Sequence, residues 1–345
     1  MKFAKKPLMP NKDVRYYKNT IWLKANASAY FLLEKMGFLT AYKTRQKIYF
    51  HNLYETHFID KKNYLNHSFS TIYIGYDMFE NRFEIESHLT FDDNKIAMCR
   101  SDERPEYYNP LLCAHFTLVC FNDFIKSKDS KALEIFWLQV HHLEKMALEN
   151  QHCFYYDWQG HHFYSGITQS VIASVFTRAF LLTKEEKWKT LAHDTLNQIF
   201  VPVEEGGNFT LDTEGYVWIE EYPRMGHLGM VLNGFIYSLI GLHEYLILCD
   251  EDKTLEMYCQ KMTESLFKTL HFYKFGRFTR YGRFEKTFEN IDYQGRNYYL
   301  FKHLFELTNN EAFKILRHKA NESVNWDDFF RFYDKPTPSY FKQKK

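Results

Sequence analysis

The sequence predicts an α+β protein: an N-terminal antiparallel β unit followed by a mostly α-helical α/α toroid, or barrel. Three observations point there. Between residues 46 and 98 large β-forming side chains alternate with polar ones at a period of two. Beyond residue 105 apolar residues recur at the helical period, in segments joined pairwise by short polar connections. A length of 345 residues suits two domains or one large helical ring. We therefore expect residues 1–104 to form a β-rich region and 105–345 the helical domain.

Each element follows in order. A short helix, "SAYFLLEKMGF", is expected within residues 20–44. The stretches "KIYFHNLYETHFI", "FSTIYIGYDMF" and "RFEIESHLTF", broken by Asp, Asn and Gly, read as three to five strands. After "DERPEYYNP" the helices run near 110–126, 130–149, 164–183, 185–200, 229–249, 251–270, 293–308 and 310–319. Connections such as "KSKDS" and "TKEE" pair them into four hairpins, and the more apolar member of each pair belongs to an inner ring. One β-hairpin interrupts them: "NFTLDTEGYVWIEEYP", with its turn at Asp212–Gly215. The tail from Trp326 is aromatic and then basic, and is expected to pack briefly and fray.

Composition limits the function. Forty-four basic against 43 acidic residues leave a net charge of +1, which argues against duplex nucleic acid as a partner. Aromatic residues make up 19% of the chain, a content that suits stacking on sugar rings, although filling a core is the ordinary role of any one of them. The six cysteines form no CxxC pair and are expected as free thiols. Basic residues near the N-terminus are not followed by an apolar segment, and no 18-residue uninterrupted apolar run occurs, so the expectation is a cytoplasmic chain without a membrane span. Four N-x-S/T sequons, at Asn26, Asn66, Asn208 and Asn321, carry little weight without a secretory signal. His141–His142 and His161–His162 lack zinc-protease spacing, and "VEEGGNFTLDTEG" reads as a solvated hairpin rather than a calcium loop. No metal and no cofactor are expected, and a homodimer is compatible with the sequence.

The most informative segment is "EEYPRMGHLGMVLNGFIYSLIGL", Glu220 to Leu242. Pro223 biases Tyr222 toward extended backbone, so the strand is expected to persist through Tyr222. Side chains then alternate, with Glu220 and Tyr222 on one face and Glu221 on the other. "MVLNGFIYSLIGL" is apolar almost all round, the mark of a buried helix. Gly234, Ser238 and Gly241 form a small-residue stripe that admits a close neighbour. Asn233 within it needs a partner, either a loop backbone or a substrate at the inner mouth of the ring.

"EEYP", a short loop and "VLNGFIYSLIGL" together resemble the signature of the C-terminal domain of D-glucuronyl C5-epimerases. The resemblance extends over about residues 105–315, through "YYNPLLCAHFTLVCFNDFI", "FYSGITQSVIASVFTRAFLLTKEEKW", "YKFGRFTRYGRF" and "NIDYQGRNYYLFKHL". It implies an isomerase that removes and returns the C5 proton of uronate residues within an acidic polysaccharide. It further implies catalytic roles for Glu221, Tyr222, Tyr281 and Tyr293, and substrate contact for Asn233 and Gln169. The residue types suit that chemistry. A C–H beside a carboxylate is a weak acid, so the carboxylate charge must be neutralised and the enolate stabilised. Inversion needs a base on one ring face and an acid on the other. Arg277, Arg280 and Arg283 flank Tyr281, where guanidinium groups would lower a phenol pKa and clamp a carboxylate.

The chain also departs from the family pattern. Gln294 and Asn297 stand where the last motif has histidines, and Phe284 stands where the arginine motif has its arginine, with Arg283 one place earlier. Three readings follow: an epimerase acting on a heparosan-like polymer, a uronate lyase sharing the same proton abstraction, or a non-catalytic glycan-binding paralogue. Convergence of the glutamate and tyrosines in space separates the first two from the third.

Overall fold

The computed structural model describes residues 89–99, 107–158, 161–223, 228–249, 252–275, 278–284 and 291–323. All belong to the second of the two units into which the chain divides, Phe58–Lys345. The early strands expected before residue 89, the helix within 20–44 and the tail from Trp326 lie outside the described residues.

The described domain is mostly helical, with small antiparallel hairpins between its helices. Its helices are α1 (Pro110–Ser127), α2 (Ser130–Glu149), α3 (Gly166–Thr183), α4 (Glu186–Gln198), α5 (Leu232–Leu248), α6 (Lys253–Thr269), α7 (Ile291–Thr308) and α8 (Glu311–Ser323). The eight periodic segments of the sequence all fold as helices, displaced by a few residues at their ends. Local chemistry explains those ends. Asn109 caps α1 by accepting from the Leu112 N–H, with Pro110 opening the first turn. Asp129 and Asp252 cap α2 and α6 in the same way. Lys128 and Lys184 adopt left-handed backbone (φ 58 and 62), which closes α1 and α3 and makes the two-residue connections possible.

Odd-numbered helices pack in succession, α1 on α3, α3 on α5 and α5 on α7, while each even-numbered helix backs its own hairpin partner. The burial pattern agrees: α3 is buried from Gly166 to Leu181 and α5 along nearly its whole length, whereas α4 and α6 bury one face. α3 has the length and hydropathy of a membrane-crossing helix, yet it lies inside the domain. Gly241 of α5 touches the α3 backbone, since a Cβ there would stand 2.8 Å from the Ser170 carbonyl oxygen.

A fully buried ion network ties the odd-numbered row together. Arg178 of α3 donates from Nη1 and Nη2 to the two carboxylate oxygens of Glu244 of α5, at 3.0 and 3.1 Å. His303 Nε2 of α7 lies 3.3 Å from Glu244 Oε1. Burial alone would raise the Glu244 pKa, but the Arg178 guanidinium and His303 hold it well below the usual carboxylate range. All three residues sit in the fourth turn of their helices, so α3, α5 and α7 run in one direction.

Among the described residues there are four hairpins: β1–β2 (Thr90–Phe91, Ala97–Met98), β3–β4 (Tyr155–Trp158, His161–Tyr164), β5–β6 (Phe209–Leu211, Val217–Ile219) and β7–β8 (Lys274–Phe275, Phe278–Thr279). A single hairpin among the helices was expected, at β5–β6. β3–β4 and β7–β8 escape sequence reading because strands of two to four residues are too short for a clear alternation. All six cysteines are free thiols.

Candidate functional site

The site is assembled around the chain that leaves β6. The β5–β6 turn forms as the sequence predicts: Asp212 Oδ1 accepts from the Glu214 and Tyr216 N–H groups, and Gly215 supplies a φ of +86. Trp218 stacks on Phe235 of α5, with ring centroids 4.0 Å apart, and so fixes β6 on that helix. The strand does not persist through Tyr222 as expected but ends at Ile219. From Glu220 onward the backbone is taken by other partners. The Glu220 N–H donates to Asn208 O at 2.8 Å, and its carbonyl accepts from the Gly166 N–H at 3.2 Å and from Asn208 Nδ2 at 2.9 Å. Asn208, a sequon residue, is therefore fully buried and used for bracing.

Glu220 and Glu221 point to different partners. The Glu220 carboxylate accepts from the N–H groups of Gly229 and Met230, each at 3.1 Å, and so ties down the far end of the loop that leads to α5. Burial pushes its pKa up to about 8, the two N–H bonds oppose this, and the Glu221 charge adds to it. Glu221 instead faces the first turn of α5, where Gly234 leaves room for it; a Cβ at Gly234 would stand 2.7 Å from Glu221 Cβ and 2.8 Å from its Oε2. Tyr281 donates its hydroxyl to Glu221 Oε2 at 3.3 Å, and the Tyr222 side chain also bonds to Glu221. Burial raises the Glu221 pKa to about 7, held from going higher by the two phenols and the charge of Arg296.

Tyr281 reaches this position because its segment is stitched to the start of α5. Leu232 N–H donates to Tyr281 O at 3.0 Å, Gly282 bridges Val231, and the Arg283 N–H donates to Met230 O. From the other side, Asn297 Nδ2 of α7 donates to Thr279 Oγ1 at 3.0 Å. Asn233, in the first turn of α5, is 3% exposed, and its Oδ1 has no hydrogen-bond partner in the described structure. Such an orphaned acceptor costs about 1–3 kcal/mol.

The structure thus brings Glu221, Tyr222, Tyr281 and Asn233 together around the first turn of α5. Other expected residues are placed differently. Gln169 is fully buried, and its amide is used on one backbone: Oε1 accepts from the Phe154 N–H at 3.3 Å and Nε2 donates to Phe154 O at 2.7 Å. Arg283 donates to Asp212 Oδ2 at 2.6 Å and lies 3.9 Å over the Phe272 ring, so its side chain pins the β5–β6 turn. Arg280 is half-buried in the same segment, and its N–H donates to Tyr273 O. Arg277 lies outside the described residues, as does the side chain of Tyr293, whose backbone belongs to the first turn of α7.

Two residues near the site were not anticipated. Arg296 lies one turn beyond Tyr293 on α7, and its charge reaches Glu221. His115 of α1 is buried with its ring 6.1 Å from Tyr237, which stands one turn below Asn233 on α5. Burial, then the Arg296 charge, lowers the His115 pKa to about 3, which keeps the imidazole neutral. The spacing of Tyr293 and Arg296, three apart on one helix face, was the available signal for Arg296. No comparable signal marks His115.

Comparison with known proteins adds an independent line. Residues 145–322 match the family model described as D-glucuronyl C5-epimerase C-terminus. A D-glucuronyl C5-epimerase from Caenorhabditis elegans is 34% identical over 105 residues, which are 29% of this chain and 17% of the worm protein. Partial fold likeness extends to an alpha-1,6-mannanase from Salegentibacter, 14% identical with a TM-score of 0.47, covering 70% of this chain and 68% of that one. Cellobiose 2-epimerase from Spirochaeta thermophila is similar to the same degree, at 13% identity and a TM-score of 0.47, covering 70% and 65%.

Proposed function

The chain belongs to the D-glucuronyl C5-epimerase C-terminal family, and on that premise we propose that it is a polysaccharide uronosyl C5-epimerase, converting D-glucuronate to L-iduronate residues within a heparosan-like acidic glycan. In this reading the row of odd-numbered helices is the inner wall of an α/α toroid, and the first turn of α5 lies at its mouth. One observation carries the proposal: a single buried carboxylate, Glu221, is hydrogen-bonded by two phenols, Tyr281 and Tyr222, with a pKa near 7.

That arrangement suits a proton exchange between two faces of a ring. One phenol oxygen takes the C5 proton as its own proton passes to Glu221, and the electron pair of the broken C–H bond enters the enolate of the uronate carboxylate. The second phenol gives its proton to the opposite face of C5. Glu221 then returns its proton to the phenolate left behind, and the three groups regain their starting state. A carboxyl pKa near neutrality lets Glu221 accept and release a proton at comparable cost. Asn233 Oδ1 accepts from a sugar hydroxyl and fixes the ring above the phenols. Tyr293 is the further catalytic group implied by the family pattern.

Incubation with heparosan in heavy water tests this reading. Deuterium is expected at C5, by proton NMR, without new ultraviolet absorbance, and Glu221→Gln should abolish the exchange. New absorbance from an unsaturated uronate would replace epimerisation by lyase chemistry. No exchange on plain or N-sulfated heparosan would sink the proposal.

A further inference from the structure

Tyr281 follows the two-residue strand β8 and lies outside any helix, so its phenol is only as well placed as the backbone contacts of its segment. Those contacts form a short ladder with the residues that lead into α5. The Leu232 N–H donates to Tyr281 O at 3.0 Å, Val231 and Gly282 form an antiparallel bridge, and the Arg283 N–H donates to Met230 O at 3.3 Å. The ladder therefore takes its register from Met230. The Met230 backbone is left-handed, at a φ of 44, a conformation that a residue with a side chain keeps only where its surroundings enforce it. Glu220 and Tyr273 supply that enforcement from two sides. Both carboxylate oxygens of Glu220 accept from the Met230 N–H, at 3.1 Å each, and Oε2 also accepts from the Gly229 N–H at 3.1 Å. The Tyr273 hydroxyl donates to Met230 O at 2.6 Å, and the buried Tyr273 ring stacks on Trp218, two residues before Glu220.

We propose that Glu220 is a positioning residue for the reaction: by holding Met230 in its left-handed turn, it sets the ladder register that delivers the Tyr281 hydroxyl to Glu221. The catalytic part given to Tyr281 here rests on the epimerase reading, which this clamp deepens. Glu220 and Glu221, adjacent in sequence, hold the two sides of one ladder. Glu220 takes the side that enters α5, and Glu221 Oε2 accepts from the Tyr281 hydroxyl at 3.3 Å. Without the Glu220 carboxyl group the Gly229 and Met230 N–H groups lose their acceptor, and the left-handed turn loses one of its two anchors. The backbone of Tyr281 and Arg283 then shifts with Met230, and a displacement of about 1 Å at a reacting group costs on the order of 10²-fold in rate. Burial pushes the Glu220 pKa up to about 8, so near pH 7 it is mostly a neutral carboxyl, and a carboxamide of equal length is a close replacement.

Fluorine NMR of the full chain labelled with 3-fluorotyrosine reads the Tyr281 phenol without turnover. Its resonance is the one lost in Tyr281→Phe, and Glu221→Ala gives its position when the contact is absent. Glu220→Ala should move the resonance toward that position. It should also lower kcat for deuterium exchange at C5 of heparosan by about 10–100-fold, with KM held within about twofold. Glu220→Gln, which keeps a carbonyl oxygen for the two N–H groups, should retain the wild-type resonance and a kcat within about threefold. Circular dichroism establishes that each variant is folded. If the alanine variant is not, Glu220→Asp, which draws the carboxyl back by one methylene, decides by the same two readouts. A residue that only stabilises the fold would lower the melting temperature and leave resonance and kcat in place, and that result overturns the assignment. So does a glutamine variant that behaves like the alanine one. A wild type that exchanges no deuterium refutes the epimerase reading, and the resonance alone then decides whether Glu220 places Tyr281.

Discussion

Glu220 and Glu221 are both buried, and their partners separate their roles. Glu220 is bonded to loop backbone at Gly229 and Met230, Glu221 to two tyrosine hydroxyls. Their raised pKa values make a stability prediction. In the unfolded chain both ionise near 4.5, whereas in the folded protein they do so near 8 and 7. Between those values the folded state holds protons that the unfolded state has released, so stability falls as pH rises from about 5 to 8, by up to about 1.4 kcal/mol per unit for each group. Thermal unfolding across that window should show the fall, and Glu221→Gln should remove part of it; an unchanged slope in the variant would contradict the assignment. Exchange at C5, in contrast, should increase through pH 7 as Glu221 ionises, and Tyr281→Phe should lower it by about 10²–10⁴-fold. Glu221, Tyr222, Tyr281 and Asn233 were singled out through the family resemblance of the short blocks that carry them, and the fold brings these blocks together. Arg296 and His115 were not, because an isolated residue on a helix reveals its direction only once neighbouring helices are packed. Gln169 and Arg283 show the reverse: sequence displays a polar group but not whether the chain itself uses it, as Phe154 and Asp212 do here.

At the scale of elements, the first turn of α5 is shaped around a side chain rather than around another helix. The small-residue stripe was read from sequence as a helix contact. Gly241 serves that purpose, but Gly234 is the space in which Glu221 lies. Gly234→Ala should therefore leave the fold intact, aided by alanine's higher helix propensity, while displacing Glu221 and reducing exchange at C5 by tenfold or more (about 1.4 kcal/mol in the barrier). Near-wild-type exchange in a folded Gly234→Ala protein would show that Glu221 position is not limiting. The β5–β6 turn is a second case. Arg283 joins it to the segment of Tyr281 through a buried pair with Asp212, and Arg283→Ala should destabilise the protein by about 2–4 kcal/mol in urea unfolding. Turn residues made this hairpin visible in sequence. Nothing comparable announced β7–β8, whose two-residue strands owe their pairing to the docking of Tyr281 and Thr279 on α5 and α7.

Across the whole domain, helical periodicity and short polar connections sufficed to place eight helices in four hairpins, since local pattern determines both. What sequence did not reveal is the buried network of Arg178, Glu244 and His303, whose members are separated along the chain and meet only in the packed row. Glu244→Leu should leave a buried guanidinium uncompensated and cost about 3–5 kcal/mol, seen as a large fall in melting temperature; pairing it with Arg178→Met should recover much of the loss. Equal destabilisation by the single and double variants would show that the pair acts independently of its charge. The shared height of these three residues records that α3, α5 and α7 are co-directional, and α3 and α5 begin beside Glu220 and Glu221. Each helix start carries a partial positive charge of roughly half an elementary unit from its aligned peptide dipoles. In a chain of almost zero net charge, these aligned helix starts thus place positive partial charge at one end of the described domain without calling on a basic side chain.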